Sequence, residues 1–296
     1  MARLTIPEPE LMRSGHAACP GCGSTLGMRY LLKGLGSDVV MTIPACCWTV
    51  IGLPFPYTVL NVPMLDTAFE TTAASMSGLR AAADALGMKD VTVVGWAGDG
   101  GTADIGLQAL SGMLERRTDG IYVMYDNEAY MNTGIQRSGA TPFGAWTTTT
   151  PIGVAGRGKA EPKKDIMGIV AAHQPAYAAT VNVAFPEDFV KKVQKAKGIH
   201  GPRFLHVLAP CPPGWRFPPE KSIDLGRLAT DTNMFPLFEI EGTTYKITRK
   251  LGKAKPVSEY LKVQGRFAHM TPEEVAELQA QVDARWKRLL ALEAIG

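Results

Sequence analysis

The sequence has 296 residues, of which 46% are hydrophobic and 20% charged, an ordinary balance for a globular protein with a large core. Its 31 basic and 28 acidic residues give a formal charge of +3, too small to indicate binding to nucleic acid or to an anionic membrane surface. No apolar run approaches the roughly 20 residues that span a bilayer, and the first ten residues lack the apolar core of a signal peptide. With five cysteines, these features predict a cytoplasmic protein in a reducing compartment, where cysteines more often bind metal than form disulfides.

The amino-terminal part predicts helices alternating with strands. An irregular arm over residues 1–18 leads into Cys19-Pro20-Gly21-Cys22, where proline and glycine turn both thiols toward one point. A helix is predicted next, with Ser24 as its N-cap. The predicted elements are a helix over 24–35, strands over 38–43 and 59–62, and a closely packed helix over 69–86.

The central stretch carries the strongest functional pattern. A β-branched run over 91–97 predicts a buried strand, followed by a tight turn at Gly98-Asp99-Gly100-Gly101, a helix over 103–114 and a second strand over 121–125 that ends in Asp126-Asn127. A strand, glycine turn and helix bring backbone N–H groups and a positive dipole to one point, which suits a phosphate. Asp99 and Asn127 would lie at the carboxyl ends of neighbouring parallel strands, and their oxygens are ligands that Mg²⁺ prefers.

Other interpretations of this stretch compete. A bare Gly-Asp-Gly is common, so a plain loop is one alternative. A dinucleotide site would require G-x-G-x-x-G with an acid after the second strand, and a P-loop would require Gly-Lys-Ser/Thr; the glycines at 98, 100 and 101 fit neither pattern. The arrangement resembles the magnesium–diphosphate site of thiamine diphosphate enzymes.

The rest of the chain predicts a doubly wound α/β fold with an irregular C-terminal extension. Residues 128–165 form a long loop that we interpret as functional rather than disordered, because it contains aromatic residues and few charges. The βα pattern then resumes with helices over 165–172 and 187–197 and strands over 178–183 and 203–207. The predicted domains are 1–215, with a mostly parallel sheet, and 216–296, an extension packing on the same domain or on a partner subunit. The extension predicts a hairpin over 235–248 and an amphipathic helix over 271–292, capped by Thr271 with Glu273 or Glu274.

The cysteines predict a metal centre. Cys19 and Cys22 form one C-x-x-C pair, and Cys46 or Cys47 and Cys211 lie far away in sequence. Structural zinc usually uses two paired knuckles, so one knuckle with two distant cysteines favours a 4Fe–4S cluster over zinc. Inert burial remains an alternative for Cys211.

Together these motifs resemble one family over nearly the whole chain. Cys19-Pro20-Gly21-Cys22, the Cys46-Cys47 segment, Gly98-Asp99-Gly100, Asp126-Asn127 with Asn132-Thr133-Gly134, and Cys211 occur in the order seen in β subunits of pyruvate:ferredoxin oxidoreductase and related 2-oxoacid oxidoreductases. The resemblance implies that Asp99, Asn127 and the Ala129 carbonyl hold Mg²⁺. It also implies cofactor contacts from Gly98, Gly100, Gly101 and Thr133, and cluster ligation by Cys19, Cys22, Cys47 and Cys211. Asn132 would contact the cofactor and polarise the substrate, with a structural turn residue as the alternative.

The resemblance further implies thiamine diphosphate-dependent oxidative decarboxylation of a 2-oxoacid. Electrons would pass to the 4Fe–4S cluster and the acyl group usually to coenzyme A. Pyruvate is the default substrate; phenylglyoxylate, oxalate and branched-chain 2-oxoacids are alternatives, as are a non-redox decarboxylase and a non-catalytic zinc-stabilised subunit.

The chain has room for one such domain, so the resemblance implies partners. An α subunit would supply the aminopyrimidine-binding domain and the catalytic glutamate, because Glu70 and Glu128 are poorly placed for that role. A γ subunit, a ferredoxin-like δ subunit, and ferredoxin or another electron acceptor would complete the system.

Overall fold

The computed structural model describes residues 4–53, 56–153 and 156–295. Its strands are β1 (Val39–Pro44), β2 (Met64–Thr67), β3 (Thr92–Gly98), β4 (Gly120–Asp126), β5 (Ile152–Gly153), β6 (Gly156–Arg157), β7 (Tyr177–Asn182), β8 (Pro202–Leu208), β9 (Phe238–Glu241) and β10 (Thr244–Ile247). Its helices are α1 (Gly23–Leu35), α2 (Cys47–Ile51), α3 (Thr72–Ala85), α4 (Asp99–Ala103), α5 (Leu107–Glu115), α6 (Ile166–Ala171), α7 (Pro186–Lys197), α8 (Pro212–Trp215), α9 (Ser222–Asp231), α10 (Val257–Leu261) and α11 (Pro272–Ile295).

One eight-stranded sheet organises the molecule, in the order β10-β9-β7-β8-β4-β3-β1-β2. The strands from β7 to β2 pair in parallel, whereas β9 is antiparallel to both β7 and β10. Strands β4, β7 and β8 are buried along their whole length, which explains why they are largely apolar and do not alternate between apolar and polar residues. The prediction of an α/β, mostly parallel doubly wound sheet is confirmed.

Helices cover both faces of the sheet. Side chains of α1 and α7 pack with Trp96 on one face, and side chains of α3, α5, α6 and α11 pack on the other. A further apolar cluster, centred on Trp215, joins α8, α9, α10 and α11. Among the described helices, none is both long and apolar enough to cross a membrane.

The carboxyl-terminal edge of the sheet collects the predicted site residues. Cys46 and Cys47 follow β1, Asp99 follows β3, Asn127 follows β4 and Cys211 follows β8. Because parallel strands end at a common edge, residues far apart in sequence meet there.

The C-terminal extension is built into the same sheet. Its predicted hairpin is confirmed, and β9 pairs with β7 at Ala178 and Ala179. The predicted capping box at the start of α11 is also confirmed: the Thr271 backbone N–H donates to Glu274 Oε2 at 2.9 Å, and the Glu274 N–H donates to Thr271 Oγ1 at 3.3 Å.

Three local predictions were wrong. Residues 59–62 form no strand; Leu60 makes only an isolated bridge with Met12, and the edge strand is β2. The tight turn predicted over residues 98–101 is the start of helix α4, which ends before Asp104 (φ −114°, ψ −97°), and the helix predicted from residue 103 begins only at Leu107, as α5. Ser24 does not cap α1, because its Oγ accepts a hydrogen bond from the Trp48 indole at 2.7 Å and Cys22 occupies the cap position.

Candidate functional site

Asp99 lies at the centre of the site. It is the first residue of α4, directly after β3, and its side chain is fully buried. Ser138 Oγ donates a hydrogen bond to Asp99 Oδ2 at 2.5 Å. Burial, and then the neighbouring Asp126 carboxylate, raise the pKa of Asp99 well above its ordinary value. A carboxylate in this position is therefore stable in its ionised form when a cation lies beside it.

The Asn127 side-chain amide lies beside the other oxygen of Asp99. One terminal atom of the amide is 2.8 Å from Asp99 Oδ1 and 3.0 Å from the Ala129 carbonyl oxygen; as nitrogen this atom donates to both oxygens, and rotation of the amide places its oxygen there instead. Adjacent oxygens around an octahedral Mg²⁺ are about 3.0 Å apart when each lies about 2.1 Å from the ion. The donor set of Asp99, Asn127 and Ala129 thus fits Mg²⁺ in both chemistry and spacing.

All the cofactor-binding residues predicted from sequence line one cleft beside this triad. The cleft, which we call the cofactor cleft, is lined by Gly98, Asp99, Gly100, Gly101, Asn127, Ala129, Asn132 and Thr133, together with Ala45, Cys46, Cys47, Thr49, Phe69, Tyr125, Tyr130 and Met131. A Cβ on Gly100 would lie 2.3 Å from the Tyr130 ring, so only glycine fits there.

Thr133 and Asn132 are placed differently within the cleft. The Thr133 hydroxyl donates to Gln136 Oε1 at 2.5 Å, and Gln136 Nε2 donates back to the Thr133 carbonyl at 2.8 Å. Asn132 lines the cleft. Thr133 must release its bond to Gln136 if its hydroxyl is to donate to a diphosphate.

A second cavity, which we call the cysteine cavity, brings together four cysteines that are distant in sequence. Cys19, Cys22, Cys47 and Cys211 all line it, whereas Cys46 lines the cofactor cleft. Cys46 caps α2, with its Sγ accepting from the Trp48 backbone N–H at 3.4 Å. Both cysteines line the cofactor cleft, but only Cys47 also lines the cysteine cavity. The expectation of an extended segment was wrong, because Cys46 is the N-cap and Cys47 the first residue of α2.

The thiols of the cysteine cavity are held in a low-polarity setting. Burial raises the pKa of Cys211 to about 12, and burial followed by the neighbouring thiols raises the pKa of Cys47. Thiolates there require bound positive charge to be stable. In the part of the chain that the structure describes, no three Cys, His, Asp or Glu side chains converge closely enough to hold a single metal ion.

The two cavities share a wall. Cys47, Asn127, Met131 and Asn132 line both of them. Met131 also packs against the Cys211 loop, where a Cβ on Gly214 would lie 2.2 Å from its sulfur. A group bound in one cavity is thus separated from a group in the other by single side chains.

Several polar residues near the site are not marked by any sequence pattern. Lys163 Nζ lies 2.6 Å from both Asp126 Oδ2 and Glu128 Oε1, and His206 Nε2 lies 2.7 Å from Asp126 Oδ2. Burial by itself would raise the pKa of Asp126, but Lys163 and His206 lower it below its ordinary value. No sequence motif marks Lys163 or His206, because each reaches the site only through the tertiary fold.

The long loop over 128–165 contacts Asp99 and the segment of Asn127 and Ala129. Besides the Ser138 bond to Asp99, the Thr141 hydroxyl donates to the Glu128 carbonyl at 2.7 Å. The buried Lys159 amine holds the loop by donating to the carbonyls of Thr141 and Pro162 at 2.6 and 3.0 Å. These contacts support the interpretation of this loop as functional. Residues 154 and 155 lie outside the described residues.

Comparisons with known proteins show which family the chain is similar to. Residues 50–207 match the family model described as "Thiamine pyrophosphate enzyme, C-terminal TPP binding domain". The chain is 54% identical to ketoisovalerate oxidoreductase subunit VorB of Pyrococcus abyssi, over 98% of this chain and 96% of that protein. It is 49% identical to pyruvate synthase subunit PorB of Methanocaldococcus jannaschii, over 98% of this chain and 99% of that protein.

A solved structure supports the fold. The chain is similar to a 2-oxoglutarate:ferredoxin oxidoreductase from Magnetococcus marinus, with a TM-score of 0.59 and 19% identity over 75% of this chain and 82% of that one. That structure contains 2-oxoglutarate, coenzyme A and succinyl-CoA. At this identity the similarity concerns the fold alone.

Proposed function

This chain belongs to the family of thiamine diphosphate-binding β subunits of 2-oxoacid oxidoreductases, and on that premise we propose that it catalyses oxidative decarboxylation of a 2-oxoacid together with partner subunits. The observation that carries the proposal is the pair of adjoining cavities, one beside an oxygen triad and one lined by four cysteines. A cofactor site and an electron acceptor separated by single side chains are what such an oxidation requires.

The cofactor cleft would hold thiamine diphosphate and Mg²⁺. Asp99, Asn127 and the Ala129 carbonyl would ligate the metal, and the start of α4 would direct backbone N–H groups toward the diphosphate. Asn132 would orient the substrate carbonyl. When bound, thiamine diphosphate supplies the electron sink for decarboxylation, and a 4Fe–4S cluster takes up the released electrons singly.

We assign the cluster to Cys19, Cys22, Cys47 and Cys211. One C-x-x-C pair with two distant single cysteines favours a cluster over the two paired knuckles usual for structural zinc, and all four of these cysteines line one cavity. Each iron of a 4Fe–4S cluster takes one thiolate, so a cavity with four cysteines suits it. All five cysteines are free thiols, which is consistent with a reducing cytoplasm.

The proposed substrate is a 2-oxoacid. Pyruvate is the default, in line with the PorB relative, and a branched-chain 2-oxoacid is the alternative favoured by the VorB relatives at 54% identity. Coenzyme A is the proposed acyl acceptor.

The partners complete the active site. Glu128 is ion-paired with Lys163 and Arg266, and Glu70 is not among the residues that line the cofactor cleft, so neither is placed to contact the aminopyrimidine ring. We therefore assign that glutamate to an α subunit, and further clusters to a ferredoxin-like δ subunit in a complex that also contains a γ subunit. Ferredoxin, or another carrier, would accept the electrons.

The proposal is tested on the native complex, purified without oxygen. We expect bound thiamine diphosphate and Mg²⁺, about four irons assigned to this chain after subtraction of the partner clusters, and 2-oxoacid-dependent reduction of viologen dye. A panel of pyruvate, 3-methyl-2-oxobutanoate, phenylglyoxylate and oxalate identifies the substrate. Decarboxylation without dye reduction would indicate the non-redox enzyme. One zinc and no thiamine diphosphate would indicate the structural subunit.

A further inference from the structure

Glu128 lies between two of the proposed magnesium ligands and has an unusual backbone. Its φ is +67°, a region that residues other than glycine rarely adopt. The side-chain amide of Asn127 reaches across this turn, with one atom 3.0 Å from the Ala129 carbonyl oxygen and 2.8 Å from Asp99 Oδ1. A backbone of this kind persists only where the surrounding structure holds it.

Two cations hold the side chain of Glu128. Lys163 Nζ lies 2.6 Å from Oε1, and Arg266 Nη2 lies 2.5 Å from Oε2. Glu128 is 3% exposed and Arg266 is 2% exposed, so this ion pair is shielded from solvent. Removing one partner of a buried pair leaves the other charge uncompensated, which is strongly unfavourable.

Arg266 also connects the turn to the Cys211 loop through Trp215. Its guanidinium lies 4.1 Å from the centre of the Trp215 ring. The Trp215 indole N–H donates to the Asn127 carbonyl at 2.7 Å, and the Trp215 backbone N–H donates to the Cys211 carbonyl at 2.8 Å. One side chain from the C-terminal segment therefore contacts both the residue between the metal ligands and the indole that joins Asn127 to Cys211.

We propose that Arg266 and Trp215 are positioning residues that fix the Asn127–Ala129 turn in its metal-binding conformation and couple it to the loop of Cys211. This inference rests on the proposed function, because it assumes that the turn binds Mg²⁺. Partners of metal ligands typically change metal affinity 10- to 100-fold when they are mutated. The C-terminal segment, for which the sequence predicted only packing on the same domain or on a partner subunit, thus contributes to the cofactor site.

The experiment compares four variants in the purified complex. Arg266→Gln removes the charge, Arg266→Lys restores it, and Trp215→Phe keeps the ring but removes the N–H donor to Asn127. Arg203→Gln is the matched control, because Arg203 is also buried and ion-paired, with Asp119 at 2.5 Å, but lies at the opposite end of the sheet. The readouts are the Mg²⁺ concentration for half-maximal thiamine diphosphate binding, the melting temperature and the low-temperature EPR spectrum of the reduced clusters.

We expect Arg266→Gln to raise the half-maximal Mg²⁺ concentration at least tenfold and Trp215→Phe to raise it severalfold. Arg266→Lys should restore most of the affinity, whereas Arg203→Gln should lower the melting temperature without changing the Mg²⁺ requirement. Equal Mg²⁺ requirements in wild type, Arg266→Gln and Trp215→Phe would overturn the inference, as would an equal increase in Arg203→Gln. If the wild-type complex binds no thiamine diphosphate with Mg²⁺, the proposed function itself fails.

Discussion

Replacing Ser138 with alanine tests how the long loop supports the metal triad. Ser138 Oγ and Asp99 Oδ2 are 2.5 Å apart, and both residues are fully buried. The substitution leaves one carboxylate oxygen without this donor while Oδ1 still faces Asn127. A hydrogen bond to a charged group contributes about 1.5–3 kcal/mol. Since about 1.4 kcal/mol corresponds to a factor of ten, we expect Ser138→Ala to weaken divalent-metal binding about 10- to 100-fold.

Metal binding is measured by titrating Mn²⁺ into the metal-depleted complex in the presence of thiamine diphosphate. The concentration of free Mn²⁺ is read directly by EPR. Ser111→Ala is the matched control: it removes a hydroxyl that lies 2.8 Å from His173 Nε2, away from the triad. The control should bind Mn²⁺ like wild type. An unchanged dissociation constant in Ser138→Ala would refute the idea that the loop orients Asp99.

Other substitutions test the roles of the two cavities separately. Asp99→Ala should abolish thiamine diphosphate retention while iron content stays normal, because the cluster ligands line the other cavity; normal cofactor content would contradict the metal assignment. Cys47→Ser should lose or degrade the cluster and Cys46→Ser should keep it, since Cys46 lines only the cofactor cleft, and the reverse EPR pattern would reject this choice. Gly100→Ala should block cofactor binding without unfolding the chain, because its Cβ would lie 2.3 Å from the Tyr130 ring; retained binding in equilibrium dialysis would show that the ring moves. The chain purified alone, with a reconstituted cluster and Mg²⁺, should not reduce viologen dye with any 2-oxoacid, and full activity would remove the need for an α subunit.

The central strands of the sheet could be predicted from sequence because they are buried on both faces and are therefore largely apolar. Strand β2, at one edge of the sheet, could not be predicted, since it is largely exposed and contains Asp66. Val59 and Leu60 misled the prediction: they are buried at 1% and 2% exposure in a segment that packs against the core without pairing as a strand. Apolar composition alone does not distinguish these two situations.

The break between α4 and α5 has a tertiary cause that the helical pattern could not reveal. Asp104 Oδ2 accepts hydrogen bonds from the Tyr130 hydroxyl and the Gly139 backbone N–H, both at 2.9 Å, and Lys164 Nζ lies 3.0 Å from Oδ1. All three partners belong to the long loop. Asp104 thus ties the loop to the helix that begins at Asp99.

The residues of the candidate site also differ in whether a local sequence pattern marks them. Asp99, Asn127, Cys47 and Cys211 could be proposed from sequence because each comes shortly after a strand, and Cys19 and Cys22 because of their C-x-x-C spacing. Arg266 was missed because it lies 138 residues from Glu128, and an arginine in an unremarkable C-terminal segment carries no local signal. A residue that supports a site from a distant part of the sequence can be identified only once the fold is known.

The central claim, that a 2-oxoacid oxidised in the cofactor cleft reduces a cluster across the wall formed by Cys47 and Met131, is tested by EPR of the oxygen-free complex. In wild type, adding the substrate 2-oxoacid should produce a reduced 4Fe–4S signal without dithionite. Asp99→Ala should show that signal with dithionite and not with the 2-oxoacid. A wild-type cluster that dithionite reduces but no 2-oxoacid does, or an Asp99→Ala cluster that the 2-oxoacid still reduces, would contradict the account.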